Sequence, residues 1–157
     1  MSVAYNHRRT FNHDLLGRFD GSGKEVAKSY VAAAGWEVVE SPEAYGAWDL
    51  VIKKGEQVKT IEVEVKTSWG RIDFPFMTHH VSHRKGTSKA DVFIQVNRQG
   101  NAIAVCPMVV VHKSPIVRKD CVLPDGQRTT DEPFFNVPAC RMTYFFKDDA
   151  GQWRQQT

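Results

Sequence analysis

The sequence predicts a mixed α/β (α+β) fold with a central mixed sheet, flanking helices and an added C-terminal β-rich extension. Three observations predict it. A helical apolar period runs over residues 24–34. Three strand-like runs follow within residues 36–65, and more runs, separated by turn residues, lie beyond residue 90. The order is helix, three strands, a polar connection, then strands, which is a layered mixed architecture. At 157 residues the chain fits one domain of about 100–200 residues. Within it we distinguish an N-terminal arm (1–23), a core (24–106) and an extension (107–157).

The elements follow in order. Residues 1–23 mix aromatic and basic side chains and end in Asp20-Gly21-Ser22-Gly23, a linker turn. Ser22 or Gly23 caps the helix, Val26, Tyr30, Val31 and Ala34 share its apolar side, and Gly35 stops it. Residues 36–40 and 48–53 are strand candidates. Lys54-Gly55-Glu56 is a tight turn into residues 58–65, which alternate strictly. Ile61, Val63 and Val65 fall on one face; Thr60, Glu62, Glu64 and Lys66 fall on the other. Residues 67–76 form a loop with bulky side chains, and 77–86 form a short helix or a structured loop. Residues 91–97 and 102–106 are strands around a turn. Residues 108–112 suit strand or helix alike. Residues 113–140 carry turn signals and no firm period. Residues 142–146 and 152–154 form a terminal hairpin.

Composition excludes several classes. Hydrophobic residues are 41% and charged residues 25%, ordinary for a globular chain and against a fibre or a disordered tail. There is no apolar run long enough for a membrane helix. The first twenty residues lack an apolar core, so no secretory signal is expected. Three widely spaced cysteines suggest neither a disulfide framework nor a zinc ribbon, and a reducing, cytoplasmic setting is expected. No phosphate-binding G-x-x-x-x-G-K-[ST] loop occurs, so no nucleotide cofactor is implied. The net charge is only +3. Its distribution says more: residues 24–70 carry −2 and residues 71–100 carry +3. An acidic site that needs cations would stand beside a surface that tolerates phosphates.

The chemistry concentrates on the third strand. Glu62, Glu64 and Lys66 line one face, and Asp49 sits at the start of the preceding strand, so Asp49 is expected beside Glu64 and Lys66. Converging carboxylates stay ionised together only beside a cation. Oxygen donors suit Mg²⁺, with Mn²⁺ as a substitute. A lysine next to such an ion polarises a water or holds a phosphate oxygen, the equipment for phosphodiester hydrolysis. The competing reading is an exposed strand face bearing cross-strand ion pairs.

The ordered set of a helix acid, a strand, an Asp at a strand start and E-x-K ending the next strand resembles the PD-(D/E)xK nuclease superfamily, the restriction-endonuclease-like fold. "GWEVVESPEAYGAWDLVI" and "IEVEVKTS" carry the resemblance, which is nearest to archaeal-type Holliday-junction resolvases and related phage nucleases. It covers about a third of the chain; "SKADVFIQVN" resembles the following strand less specifically. Trp48 stands where the signature has Pro. The resemblance implies Asp49, Glu64 and Glu25 as metal ligands, Lys66 as catalytic lysine, a DNA substrate, a 5′-phosphate product and a homodimer of prokaryotic or phage type. Alternatives are a site-specific restriction-type endonuclease and a non-catalytic nucleic-acid- or protein-binding module on the same fold.

Other residues have two readings each. Glu25 is also a normal first-turn acid. Glu62 is an outer acid or simply exposed. Ser41 and Tyr45 lie in the loop at the cleft mouth. His79 and His83 have helical zinc-ligand spacing but lack a third ligand. His79, His80, His83, Arg84, Lys85 and Lys89 together are expected to contact phosphates. Tyr5, Arg8, Arg9, Phe11 and Arg18 form a nucleic-acid arm or a packing segment. Trp36 and Trp69 are packing residues.

Overall fold

In the computed structural model, residues 13–40, 48–122 and 125–157 are described, with side chains from Ser22 onward. The arm residues Tyr5, Arg8, Arg9 and Phe11, the Arg18 side chain, and the loop residues Ser41 and Tyr45 lie outside the described residues.

The helix is longer than its apolar period suggested: α1 spans His13–Ala33. Asp20 to Gly23 are helical rather than a linker. Packing explains this. A Cβ built on Gly23 would meet Val65 Cγ2 at 2.6 Å, so only glycine lets the helix lie this close to the sheet. Gly23, Ala27 and Val31, spaced at i, i+4 and i+8, are buried on the packed side. Gly35 ends the segment at φ +91°.

The strands that follow are β1 (Glu37–Val38), β2 (Leu50–Lys54) and β3 (Gln57–Lys66). The first is shorter than expected. Gly55 and Glu56 alone join β2 to β3, with Gly55 at φ +62° as a primed hairpin turn requires. Then come β4 (Thr78–Ser82), a 3₁₀ turn (His83–Thr87), β5 (Val92–Asn97), β6 (Ala102–Pro107) and α2 (Met108–His112). The segment without a firm period forms β7 (Ile116–Val122) and β8 (Arg128–Pro138). A 3₁₀ turn at Ala139–Arg141 leads to β9 (Thr143–Lys147) and β10 (Trp153–Gln155).

Seven strands form one mixed sheet in the order β1-β2-β3-β5-β6-β9-β10, and β4-β8-β7 form a second. All pairs are antiparallel except β3 with β5. The protein is therefore mostly sheet, with one long and one short α-helix among the described residues; the expected flanking helices reduce to α1 on one face and the single short α2 on the other. That face buries Ala27 and Val31 against Leu50, Ile52, Ile61, Val63, Ile94, Val96 and Ile103. The other face is covered by the small sheet, α2 and the 67–76 loop around Trp69, Val81, Phe93, Met108, Phe135 and Val137. Asn97 pins the β5–β6 turn: its Oδ1 accepts from Asn101 N (3.0 Å) and Ala102 N (3.1 Å). No described helix is long and apolar enough to cross a membrane.

Gly23→Ala tests the close approach. It should lower unfolding free energy by about 1–3 kcal/mol despite alanine's better helix propensity. In a Val65→Ala background much of that loss should vanish, as read by urea unfolding.

Candidate active site

The alternation of β3 decides where the charges lie. Ile61 and Val63 are buried on the helix side, so Glu62, Glu64 and Lys66 face the small sheet. This face is roofed and partly buried, unlike an exposed ladder of surface ion pairs.

Asp49 reaches it from the residue before β2. Its Oδ2 accepts from Val63 N at 2.8 Å, and Lys24 Nζ stands 3.6 Å from Oδ1. The two-residue turn pairs Leu50 with Ile61, which places Asp49 beside Glu62. The expectation that Asp49 sits next to Glu64 and Lys66 is thus corrected by one pair of strand residues. The Asp49 and Glu62 carboxyls lie close enough to influence each other's ionisation. Burial, then Glu62, raises the Asp49 pKa against the pull of the Val63 N–H. For Glu62, burial pushes up, but Lys85, together with Asp49 and Ser88, outweighs it and the pKa ends below its ordinary value. Lys85 Nζ lies 2.9 Å from Glu62 Oε2, and Ser88 Oγ donates to Oε1 at 3.2 Å.

Glu64 is held differently. Gln95, wholly buried on the parallel neighbour β5, donates from Nε2 to Glu64 Oε1 at 3.0 Å. Gln95 is itself oriented. His79 Nδ1 is 2.5 Å from its Oε1, and His79 Nε2 is 2.8 Å from Tyr144 Oη. With the Gln95 amide N–H committed to Glu64, Oε1 must accept from His79 Nδ1–H, and Nε2 accepts from the Tyr144 hydroxyl. That hydroxyl also lies 2.9 Å from Ala139 O, so its one proton serves either partner. His79 stacks on Phe74, with ring centroids 3.6 Å apart. Burial raises the Glu64 pKa; Lys85, Gln95, Lys66 and Arg84 oppose it. Burial lowers the Lys66 pKa; Glu64 opposes, and Lys119 adds to the fall. Lys66 Nζ sits 5.7 Å from the Phe76 ring centre.

The remaining expected residues separate. Glu25 is exposed and bonds Lys28 at 3.2 Å. Lys24 shares the helix stripe of Ala27 and Val31, and so Lys24, not Glu25, reaches Asp49. His79 is 0% exposed, which corrects its expected place on a phosphate-facing surface. His80 is half-buried and accepts from Lys119 Nζ at 2.7 Å. Lys85 faces inward to Glu62, whereas His83, Arg84 and Lys89 are exposed. Residues 77–86 are strand and 3₁₀ turn, so the helical zinc spacing of His79 and His83 does not arise. Gln95, Tyr144 and Lys119 were missed by sequence reasoning. Only Gln95 left a signal, as the polar residue inside the apolar run Val92-Phe93-Ile94-Gln95-Val96. Among the described residues no three His, Cys, Asp or Glu side chains form a group that holds a metal ion. Comparison with protein-family models, curated proteins and solved structures gives no match.

His79 gives a pH prediction. Burial lowers its pKa to about 4 from the ordinary 6.5. Folded His79 stays neutral while the unfolded chain takes a proton below pH 6.5. Its stability contribution is therefore full above pH 6.5 and falls as pH drops towards 4, by on the order of 3 kcal/mol in all. Urea unfolding of His79→Gln at pH 7 and 4.5 should show that much less of the acid-dependent loss than the wild type.

Proposed function

We propose that the chain is a metal-dependent DNA endonuclease with a restriction-endonuclease-like core. The observation that carries this reading is the partly buried Lys66, its pKa lowered, two residues beyond Glu64 on a face where Asp49 and Glu62 converge. The helix, the Asp at a strand start and the E-x-K strand stand in the order of the PD-(D/E)xK pattern.

The donors fit a hard divalent cation. Two adjacent carboxylates repel each other, and a cation held between them relieves that repulsion. Mg²⁺ takes one or two carboxylates and fills its shell with water and substrate phosphate, so a third protein acid is not required. Asp49 with Glu62 or Glu64 would hold the ion. Bound there, it would supply an acidified water and charge neutralisation at the phosphate. Gln95 ties down Glu64 Oε1, so the carboxylate has one fixed orientation and one oxygen to offer. Lys66 Nζ would donate to a phosphate oxygen or orient the attacking water. Lys85 occupies the acidic face through Glu62, so ion entry at that carboxylate competes with an ammonium.

Junction or branched DNA is the first substrate class to try, followed by a duplex site. A homodimer would place two such sites on two strands. The reading implies action inside a cell. A second reading, a non-catalytic binding module, draws on the same face: Lys85 on Glu62 and Gln95 on Glu64 already supply those acids with internal partners.

The test is cleavage of labelled four-way junction, linear duplex and single-stranded DNA with Mg²⁺, Mn²⁺ or EDTA. Asp49→Ala and Lys66→Ala should each lose at least about 100-fold in rate while still binding DNA. Equal background activity in wild type and both variants sinks the nuclease and leaves the binding module. A separate check concerns the internal cation. Lys85→Met should tighten Mn²⁺ binding by titration calorimetry, because it leaves the carboxylates without their competing ammonium.

A further inference from the structure

The extension brings one cation to the site that the nuclease reading does not use. On the outer face of the small sheet, Lys119 from β7 donates to His80 Nδ1 from β4 at 2.7 Å. Its Nζ lies 5.5 Å from the Phe134 ring of β8, and the His80 ring centre is 6.0 Å from that ring. Strand pairing explains the meeting. In β4, His79 and Val81 turn inward to the core, so His80 turns outward; the β4–β8 and β8–β7 registers then carry the outward face across to Val117 and Lys119. His80 and Lys66 line one cleft of about 390 Å³ with Phe76, Met77 and Thr78. Met77 is 88% exposed and Phe76 45%, so the cleft has an open apolar rim above a cationic floor.

Lys66 and His80 thus line the cleft, and Lys119 from a third strand joins them through its bond to His80. After burial, Lys119 and Lys66 both hold His80 towards its neutral form. A neutral His80 keeps a lone pair on Nδ1 to accept from Lys119, which fixes the ammonium in position without cancelling its charge. Like charges held together in this way are favoured when an anion bridges them.

We propose that Lys119, positioned by His80, binds a DNA phosphate neighbouring the one at Lys66, with the attached sugar and base lying against Phe76 and Met77. The inference rests on DNA being the substrate, and it gives the extension a role: β7 and β8 deliver the second phosphate contact.

The test is fluorescence anisotropy on the full chain in EDTA, with labelled linear duplex and four-way junction DNA, over salt from about 50 to about 200 mM. Lys119→Ala should weaken binding about 3- to 10-fold and reduce the slope of log affinity against log salt by about 1, as loss of one phosphate contact requires. Lys119→Arg should restore both. Lys59→Ala should change neither, since Lys59 stacks by Trp36 on the opposite face of the large sheet. Lys119→Gln serves as a second neutral variant, and urea unfolding shows that each variant is folded. Unchanged affinity and slope in folded Lys119→Ala and Lys119→Gln overturns the proposal. So does a wild type with no salt-dependent affinity for either DNA. The nuclease reading fails separately: DNA binding that depends on Lys119, without metal-dependent cutting, leaves this phosphate contact standing. Cutting that proceeds with an unchanged KM in Lys119→Ala leaves the nuclease and removes the contact.

Discussion

The two-sided character of β3 governs the rest of the molecule. One strand carries buried Ile61 and Val63 on one side and Glu62, Glu64 and Lys66 on the other. The first side demands an apolar partner, and α1 supplies it through Ala27 and Val31. The second cannot take an apolar roof, because each carboxylate removed from water needs a donor. Lys85, Ser88 and Gln95 meet that need, and they arrive on the 3₁₀ turn, the segment after it and β5. The small sheet is therefore the roof, while the turn leaving β4 and the neighbouring strand β5 supply the electrostatic partners.

Its position also sets the order of the site. Asp49 and Glu62 are neighbours across the hairpin, Glu64 is fixed by a buried amide, and Lys66 lies at the end of the strand beside the open cleft. Polar support runs on through His79 to Tyr144, whose strand β9 pairs with β6. Residues separated by up to 95 positions in the chain, from Asp49 to Tyr144, share one buried polar layer, so the layer is specified only once both sheets have formed.

Much of the local structure could be read in the residues. The alternation of 58–65 told which side chains share a face, and the Gly55 turn marked the β2–β3 hairpin. The same turn held information that was not drawn out: a two-residue loop fixes Asp49 opposite Glu62, one pair away from the expected neighbour. The helix start was misplaced because Gly21 and Gly23 read as breakers, whereas tertiary packing against Val65 makes Gly23 necessary inside α1. His79 looked like part of a basic surface because its neighbours His80, Arg84 and Lys85 are polar. Only strand periodicity over 78–82 turns it inward, and that period is masked by three histidines in five residues. Lys119 and Tyr144 were not legible at all, since both reach the site through pairings between segments distant in sequence.

The crossover between the two parallel strands has a kinetic consequence. The β2–β3 hairpin closes over two residues and can form on its own in microseconds or so. The pairing of β3 with β5 must wait for residues 67–91 to be laid out, and that crossover contains β4, whose partner β8 begins at Arg128. Closing such loops costs entropy before any contact repays it. During synthesis the acidic strand therefore emerges long before its roof is complete, and it spends that interval hydrated, as an ordinary charged hairpin. The chemistry-bearing face becomes a protected interior only when the last third of the chain has arrived.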